Sequence, residues 1–412
     1  MRELRTLAHI PIIILMLLFL MPVAAAAETV YVDGVGTDAN CYATLSEAFA
    51  AVDAGGKVVL TAPIENSTES AVTLPTKDGV VTITSVCDGV DYAEKNGAYL
   101  GIGRTLNLSS PVIFENITLR QTSGSTVYGN IYACGNFLTF GSGVTTVADE
   151  TTGLYPSVYG GSSSGALRSD THLAIASGTW NNVFGGSYQT LYGDSLVEIS
   201  GGTFSNVYGG CRAYNFEGNS TVNFSGGTIL KSIAGGNGPD GRSFTGNSTL
   251  NLTGGTVEYL STAAGVVGGS VGASGGEAYT FSGTIALNIG GNVQIYSTVL
   301  GASRYTNIKT EADITVKVFG NAVLYRHLYG GGYGNVSGTI DVTLSDNAQF
   351  VQLASSSTFV CAGANSGTVT GDVSITCDLS TTIYGNIYGG GYSEGPGTTT
   401  VYGGTRIVIN GA

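Results

Sequence analysis

The chain has 412 residues, with 16 Lys+Arg against 29 Asp+Glu, a formal net charge of −13 and only 11% charged residues. So few cations leave a polyanion without neutralising partners, which excludes phosphate-backbone recognition and with it nucleic acid as a partner. Glycine is abundant at 64 residues but follows no three-residue period, which excludes a collagen-like helix.

The N-terminal segment carries Arg2 and Arg5, an apolar run from Ile10 to Val23 and the small residues Ala24 to Ala27. This is the pattern of a secretory signal peptide over residues 1–27, with cleavage near Ala26 or Ala27. The competing reading is an uncleaved anchor, but the apolar core is short against a span of about 20 residues. No later stretch is apolar enough to cross a bilayer. The expectation is a mature chain from Glu28 that is secreted, extracellular or at the cell surface, with no transmembrane span after signal removal.

Residues 28–119 read as an N-terminal cap followed by irregular first rungs. Thr44 and Glu47 have capping-box spacing, which predicts a short helix from about Leu45 to Val52 that covers the open end of a solenoid. Val58-Val59-Leu60 and Val80-Val81-Thr82-Ile83-Thr84 read as strands.

Residues 120–412 repeat. A block of the form apolar, aromatic or apolar, Gly, Gly recurs at Val158, Val183, Val207, Ile233, Val266, Leu328 and Ile387, with weaker copies at Ile131, Val299 and Val360. Successive starts differ by 24 to 33 residues, a solenoid period. A second block alternates apolar and polar residues and ends in Gly-Gly, as in Leu196-Val197-Glu198-Ile199-Ser200-Gly201-Gly202, with copies from Thr221 and Thr249 and weaker ones from His172, Ile285, Ile314, Ile340, Val373 and Arg406. Period-two alternation gives strands, and Gly-Gly gives sharp bends. A propeller blade needs about 40 to 50 residues, more than this period holds. An antiparallel sandwich has no reason to keep one residue type in one register. A parallel coil does, because equivalent residues stack about 4.8 Å apart. The chain stops at Ile409-Asn410-Gly411-Ala412, within what reads as another rung, so the coil is expected to be uncapped there and the chain a fragment of a longer one.

Six cysteines follow the signal: Cys41, Cys87, Cys134, Cys211, Cys361 and Cys377. Disulfides and burial as small apolar residues are both open, and no Cys/His spacing suggests a metal site.

The segment Tyr31-Val32-Asp33-Gly34, Tyr42-Ala43-Thr44-Leu45 and Gly56-Lys57-Val58-Val59-Leu60, followed by GGTF…VYGG rungs, resembles the pectate-lyase-like superfamily, and within it most resembles adhesin-like surface proteins. The likeness covers nearly the whole mature chain. It implies a right-handed parallel β-helix. It leaves activity open, because that superfamily includes lyases, hydrolases, adhesins and inert stalks.

Three rows of residues are candidates for function. Glu198, Asn223, Asn251, Asn288 and Lys317 share one register; with Val197 and Ile199 inward they line an outer face, where amides either bond sugar hydroxyls or satisfy one another. Asp170, Asp194, Asn219, Asn247 and Asp313 share a second register. Asp170 and Asp194, roughly 5 Å apart on neighbouring rungs, are weak candidates for a catalytic pair or a Ca²⁺ site, against a turn role in which they bond their own backbone. No other cofactor is called for. The third row is aromatic: Tyr132, Tyr159, Phe184 and Tyr208, then Tyr329 and Tyr388. Exposed, these rings are a platform for sugar rings; buried, they are a packing ladder.

Enzyme signatures are sparse. His172 and His327 stand far apart in sequence, and Arg212, Arg242, Arg304 and Arg326 are scattered over different rungs. Asn-x-Ser/Thr triplets, among them those that begin at Asn66, Asn107, Asn116, Asn219, Asn247, Asn251 and Asn335, are read as incidental. The reading is a side face for adhesion or glycan contact, tuned by the variable loops Gly236 to Gly246, Gly269 to Gly283 and Tyr392 to Gly403. A polysaccharide lyase or hydrolase on the same coil and a passive stalk are the alternatives.

Overall fold

A computed structural model describes residues 28–65, 71–122, 129–258, 265–273, 277–352, 358–378, 380–393 and 398–410; the expected signal peptide and Asn66 lie outside them. The architecture is an all-β parallel solenoid of about 13 turns, 3% helical. Its spine runs from Thr29–Val32 through Lys57–Leu60, Val81–Thr84, Val112–Phe114 and Phe137–Phe140 to Thr171–Ile175, Ser195–Ile199, Ser220–Phe224 and Ser248–Leu252. It continues through Tyr279–Ile289, Ile308–Val318, Ile340–Leu344 and Val373–Cys377 to Thr405–Ile409, every pair parallel. A second parallel sheet climbs beside it, and a shorter third one joins Ile64–Glu65, Leu100–Ile102, Ile117–Gln121 and Val144–Val147.

Both sequence blocks fall into register. In the second sheet Ile131, Val158, Val183, Val207, Ile233, Val266, Val299, Leu328, Val360 and Ile387 form one column, so even the weaker copies are true rungs. Strand alternation buries Val197 and Ile199 and turns Glu198 outward. The core so formed is filled by like stacked on like. Phe216, Phe244 and Phe281 stack with ring centroids 4.7 and 4.5 Å apart, and Phe114 lies 5.2 Å from Phe140.

The two kinds of Gly-Gly pair have different physical origins. In the SGGT and TGGT bends, Gly202, Gly227 and Gly255 adopt positive φ of 103°, 98° and 75°, the region that glycine enters without a Cβ penalty. The first glycines of the VYGG blocks have no such φ. There the rungs pass too closely for a side chain: a Cβ on Gly185 would sit 2.4 Å from the Gly209 carbonyl oxygen, and one on Gly209 would sit 2.3 Å from that of Gly235.

A buried hydroxyl braces the same bends. Thr171, Ser195, Ser220 and Ser248 donate to the carbonyls of Gly185, Gly209, Gly235 and Gly268 at 2.7, 2.5, 2.7 and 2.7 Å. These residues open the spine strand and face inward, so an unpaired hydroxyl there would carry a desolvation cost; the glycine carbonyl across the rung removes it.

The helix is Leu45–Ala51, with Val52 as its C-cap. Both capping-box bonds form, Glu47 N–H to Thr44 Oγ1 at 3.2 Å and Thr44 N–H to Glu47 Oε2 at 3.1 Å, and the helix buries Leu45, Ala48 and Phe49. A second short helix, Tyr92–Asn96, has no counterpart in the sequence reading; Asp91 caps its start and Gly97, at φ 68°, its end. All six cysteines are free thiols, with Cys211, Cys361 and Cys377 buried.

Candidate functional site

The Asp/Asn row does not make self-bonding turns as expected. Each side chain reaches along the coil axis instead. Asp170 Oδ1 accepts the Asp194 N–H at 2.9 Å, Asp194 Oδ1 the Asn219 N–H at 2.7 Å, and Asn219 Oδ1 the Asn247 N–H at 3.1 Å. Asn247 bonds Thr284, Asp313 bonds Thr339 and Asp372 bonds Gly404 in the same way. The reason lies in geometry: the residue before a spine strand sits beside its equivalent on the next rung, whose N–H would otherwise lack a partner. Asp170 and Asp194 are therefore adjacent, as their spacing predicts, but one oxygen of each is held by backbone. Among the described residues no group of three or more His, Cys, Asp or Glu side chains is placed to hold a metal ion.

The aromatic row is a packing ladder. Tyr132, Tyr159, Phe184 and Tyr208 stack with centroids 4.5, 4.9 and 5.0 Å apart and are only 3%, 1%, 3% and 3% exposed, so none of them offers an open platform to a sugar. The neighbouring valines belong to the main core, whereas these rings form a second cluster on the outer side with Ala234, Val267, Leu300 and Tyr329. What covers them is the chain just past each bend: Tyr188, Tyr305, Tyr333 and Tyr392 pack on this cluster. The recurrence of a tyrosine shortly after the glycine bend, as in Gly185-Gly186-Ser187-Tyr188 and Gly330-Gly331-Gly332-Tyr333, was the available signal for that cover. Arg212 completes it, donating to Tyr159 Oη at 3.2 Å and lying 5.2 Å over the Tyr188 ring. Burial raises the Tyr159 and Tyr208 hydroxyls above the usual phenol range.

The amide row lies on the outer face of the spine sheet. Asn288 Nδ2 donates to Asn251 Oδ1 and Asn251 Nδ2 to Asn223 Oδ1, each at 2.8 Å. The run of amides thus has a direction, and the charges beside it match: Glu198 flanks the rung at the donor end and Lys317 the rung at the acceptor end. Opposite charges at the two ends of an aligned set of dipoles are stabilising. Asn251 has both its amide groups engaged within the row, and Asn223 is one of its two ends.

At that end the face is indented. A groove of about 250 Å³ is lined by Thr139, Ala174, Ala176, Glu198, Asn223 and Ser225, among others. Its depth follows from sequence: Ala174 stands where the neighbouring rungs carry Thr139, Glu198 and Asn223. Glu198 Oε2 is 2.6 Å from His172 Nε2, and the His172 ring meets Phe137, which is 37% exposed, at 4.5 Å in an edge contact. A carboxylate, an amide, an imidazole and an accessible ring therefore share one patch of the sheet.

No family model, curated protein or solved structure matches this chain. Among the described residues no helix is long and apolar enough to cross a membrane.

Proposed function

We propose that this is an exported β-solenoid, secreted or held at a cell surface, whose spine-sheet face contacts glycan; the same reading places it with the pectate-lyase-like superfamily and its adhesin-like members. The observation that carries it is the groove, in which Glu198 and Asn223 stand on adjacent rungs over Ala174 and Ala176 beside the exposed Phe137. Carboxylate and amide oxygens accept bonds from sugar hydroxyls, the amide N–H donates to them, and an aromatic surface takes the apolar face of a sugar ring. Backbone strands hold these groups at fixed spacing, which favours a repeating polymer as the partner.

The second reading, a polysaccharide-cleaving enzyme, is favoured by the His172–Glu198 pair, an imidazole with a carboxylate at hydrogen-bond distance. A glycan array with residues 28–412, run beside a reducing-end and unsaturated-product assay, separates the readings. Binding without turnover that is lost in Glu198→Ala/Asn223→Ala supports the contact surface. Turnover lost in His172→Ala or Glu198→Gln replaces it with the enzyme, and silence in both assays leaves a structural stalk.

A further inference from the structure

A second cavity, of about 430 Å³, lies away from the spine groove and shares no lining residue with it. Its walls include Asn215, Asp240, Arg242, Glu277, Tyr279 and Asn307. These residues come from successive rungs, each just before or at the start of a strand that carries the Phe216, Phe244 and Phe281 stack or, for Asn307, the neighbouring Ile308–Val318 strand. A rigid aromatic column thus underlies a set of loops that differ from rung to rung, the arrangement by which scaffolds commonly carry binding sites.

The chemistry of the lining is specific. Asp240 and Glu277 bring two carboxylates; Arg212 lies 3.6 Å from Asp240, and Arg242 lies 3.9 Å from Glu277 and 5.6 Å over the ring of Tyr214, itself 40% exposed. Asn307 Nδ2 donates to the Glu277 carbonyl at 2.9 Å, while Asn307 Oδ1 and Tyr279 Oη are buried without a hydrogen-bond partner among the described residues. Unsatisfied buried oxygens carry a cost that a partner removes. Each carboxylate is thus matched by a guanidinium, and hydroxyl groups of a neutral ligand find carboxylate and amide oxygens to donate to and guanidinium N–H groups to accept from.

We propose that this cavity binds a neutral, hydroxyl-rich sugar residue, as a carbohydrate site separate from the spine-sheet face. Arg212 and Arg242 already pair with Asp240 and Glu277, so a uronate must compete with those carboxylates for them and is disfavoured.

The test is titration calorimetry of residues 28–412 with maltotriose, cellotriose, mannotriose and β-1,4-galactotriose, and with trigalacturonate as the anionic comparison. It is run on the unsubstituted chain, on Glu198→Ala/Asn223→Ala, on Arg242→Ala and on Glu277→Gln, with melting curves as the folding control. The expected result is a neutral trisaccharide that binds the unsubstituted chain and the Glu198→Ala/Asn223→Ala chain alike and weakens at least about tenfold in Arg242→Ala and Glu277→Gln. Trigalacturonate is expected to bind more weakly than that sugar. The proposal is overturned if none of the neutral sugars binds, if binding is indifferent to both cavity substitutions, or if trigalacturonate binds best. Binding lost solely in Glu198→Ala/Asn223→Ala leaves the sheet face as the site and removes this one. Glu277 is 85% exposed, so its substitution tests the site even if Arg242→Ala disturbs the loop.

Discussion

Asp194 Oδ1 accepts two bonds from Asn219 on the next rung, from its backbone N–H at 2.7 Å and from its Nδ2 at 3.1 Å. The aspartate therefore braces one rung against the next at a point where the spine strands begin. Asp194→Ala is expected to cost about 1 kcal/mol and to speed hydrogen exchange at the Asn219 amide, with Asp194→Asn close to the parent. Unchanged exchange at Asn219 would show that this bond does not hold the corner.

At Asp313 the same brace is sensitive to pH. Bonds from the Thr339 N–H and hydroxyl, at 2.8 and 2.9 Å, hold its carboxyl below the usual aspartate range. A lowered folded pKa stabilises above the unfolded value near about 3.9 and loses that contribution as pH falls through the folded value. The melting temperature should drop in acid below about pH 4, and Asp313→Asn should flatten part of that drop while leaving neutral stability nearly unchanged. Asn219 and Asn247 already fill the equivalent place with an uncharged acceptor. Asp33 and Asp378 are lowered too, so some slope remains in the variant.

Gly209 tests the closeness of the rungs. A Cβ there would lie 2.1 Å from Ser220 Oγ and 2.3 Å from the Gly235 carbonyl oxygen, so Gly209→Ala is expected to cost upward of about 3 kcal/mol. Ser220→Ala removes the buried bond to Gly235 and should cost about 1 to 3 kcal/mol. Combining the two relieves the side-chain collision but not the backbone one, so the double variant should not regain stability in chemical unfolding.

The buried thiols give a chemical check on packing. Burial pushes Cys211 and Cys361 up to about 12, leaving little thiolate at pH 8. Native protein should leave both unlabelled by iodoacetamide on a timescale at which guanidinium-unfolded protein reacts fully, as read by peptide mass spectrometry. Rapid native labelling of Cys361 would mean that the outer cluster opens readily, and rapid labelling of Cys211 that the main core does.

Much of the fold was legible because a coil repeats its constraints: a valine column, an outward polar row and two glycine pairs recur until their register is plain. The site was less so. Alternation correctly put Val158 and Tyr159 on opposite sides of a strand, yet both are buried, because the chain after each bend folds back over the rings. Period-two patterns report direction, not what a loop later lays on top. Likewise Asp170 and Asp194 read as a pair, but that their oxygens serve the next rung's backbone depends on contacts across 24 and 25 residues that composition does not encode. The groove at Ala174 and Ala176 and the cavity around Arg242 arise from departures from the repeat, where pattern has least to say.

The Asx brace also bears on how such a chain changes length. Each of these side chains accepts from the rung after it and supports the acceptor of the rung before it, so the bonding sense is the same at every step. A duplicated stretch spanning one whole rung brings its own donor to the old acceptor and offers a new acceptor of identical kind. Lengthening by tandem copying thus needs no compensating substitution at this corner, and the loops that ride on the new rung are free to diverge.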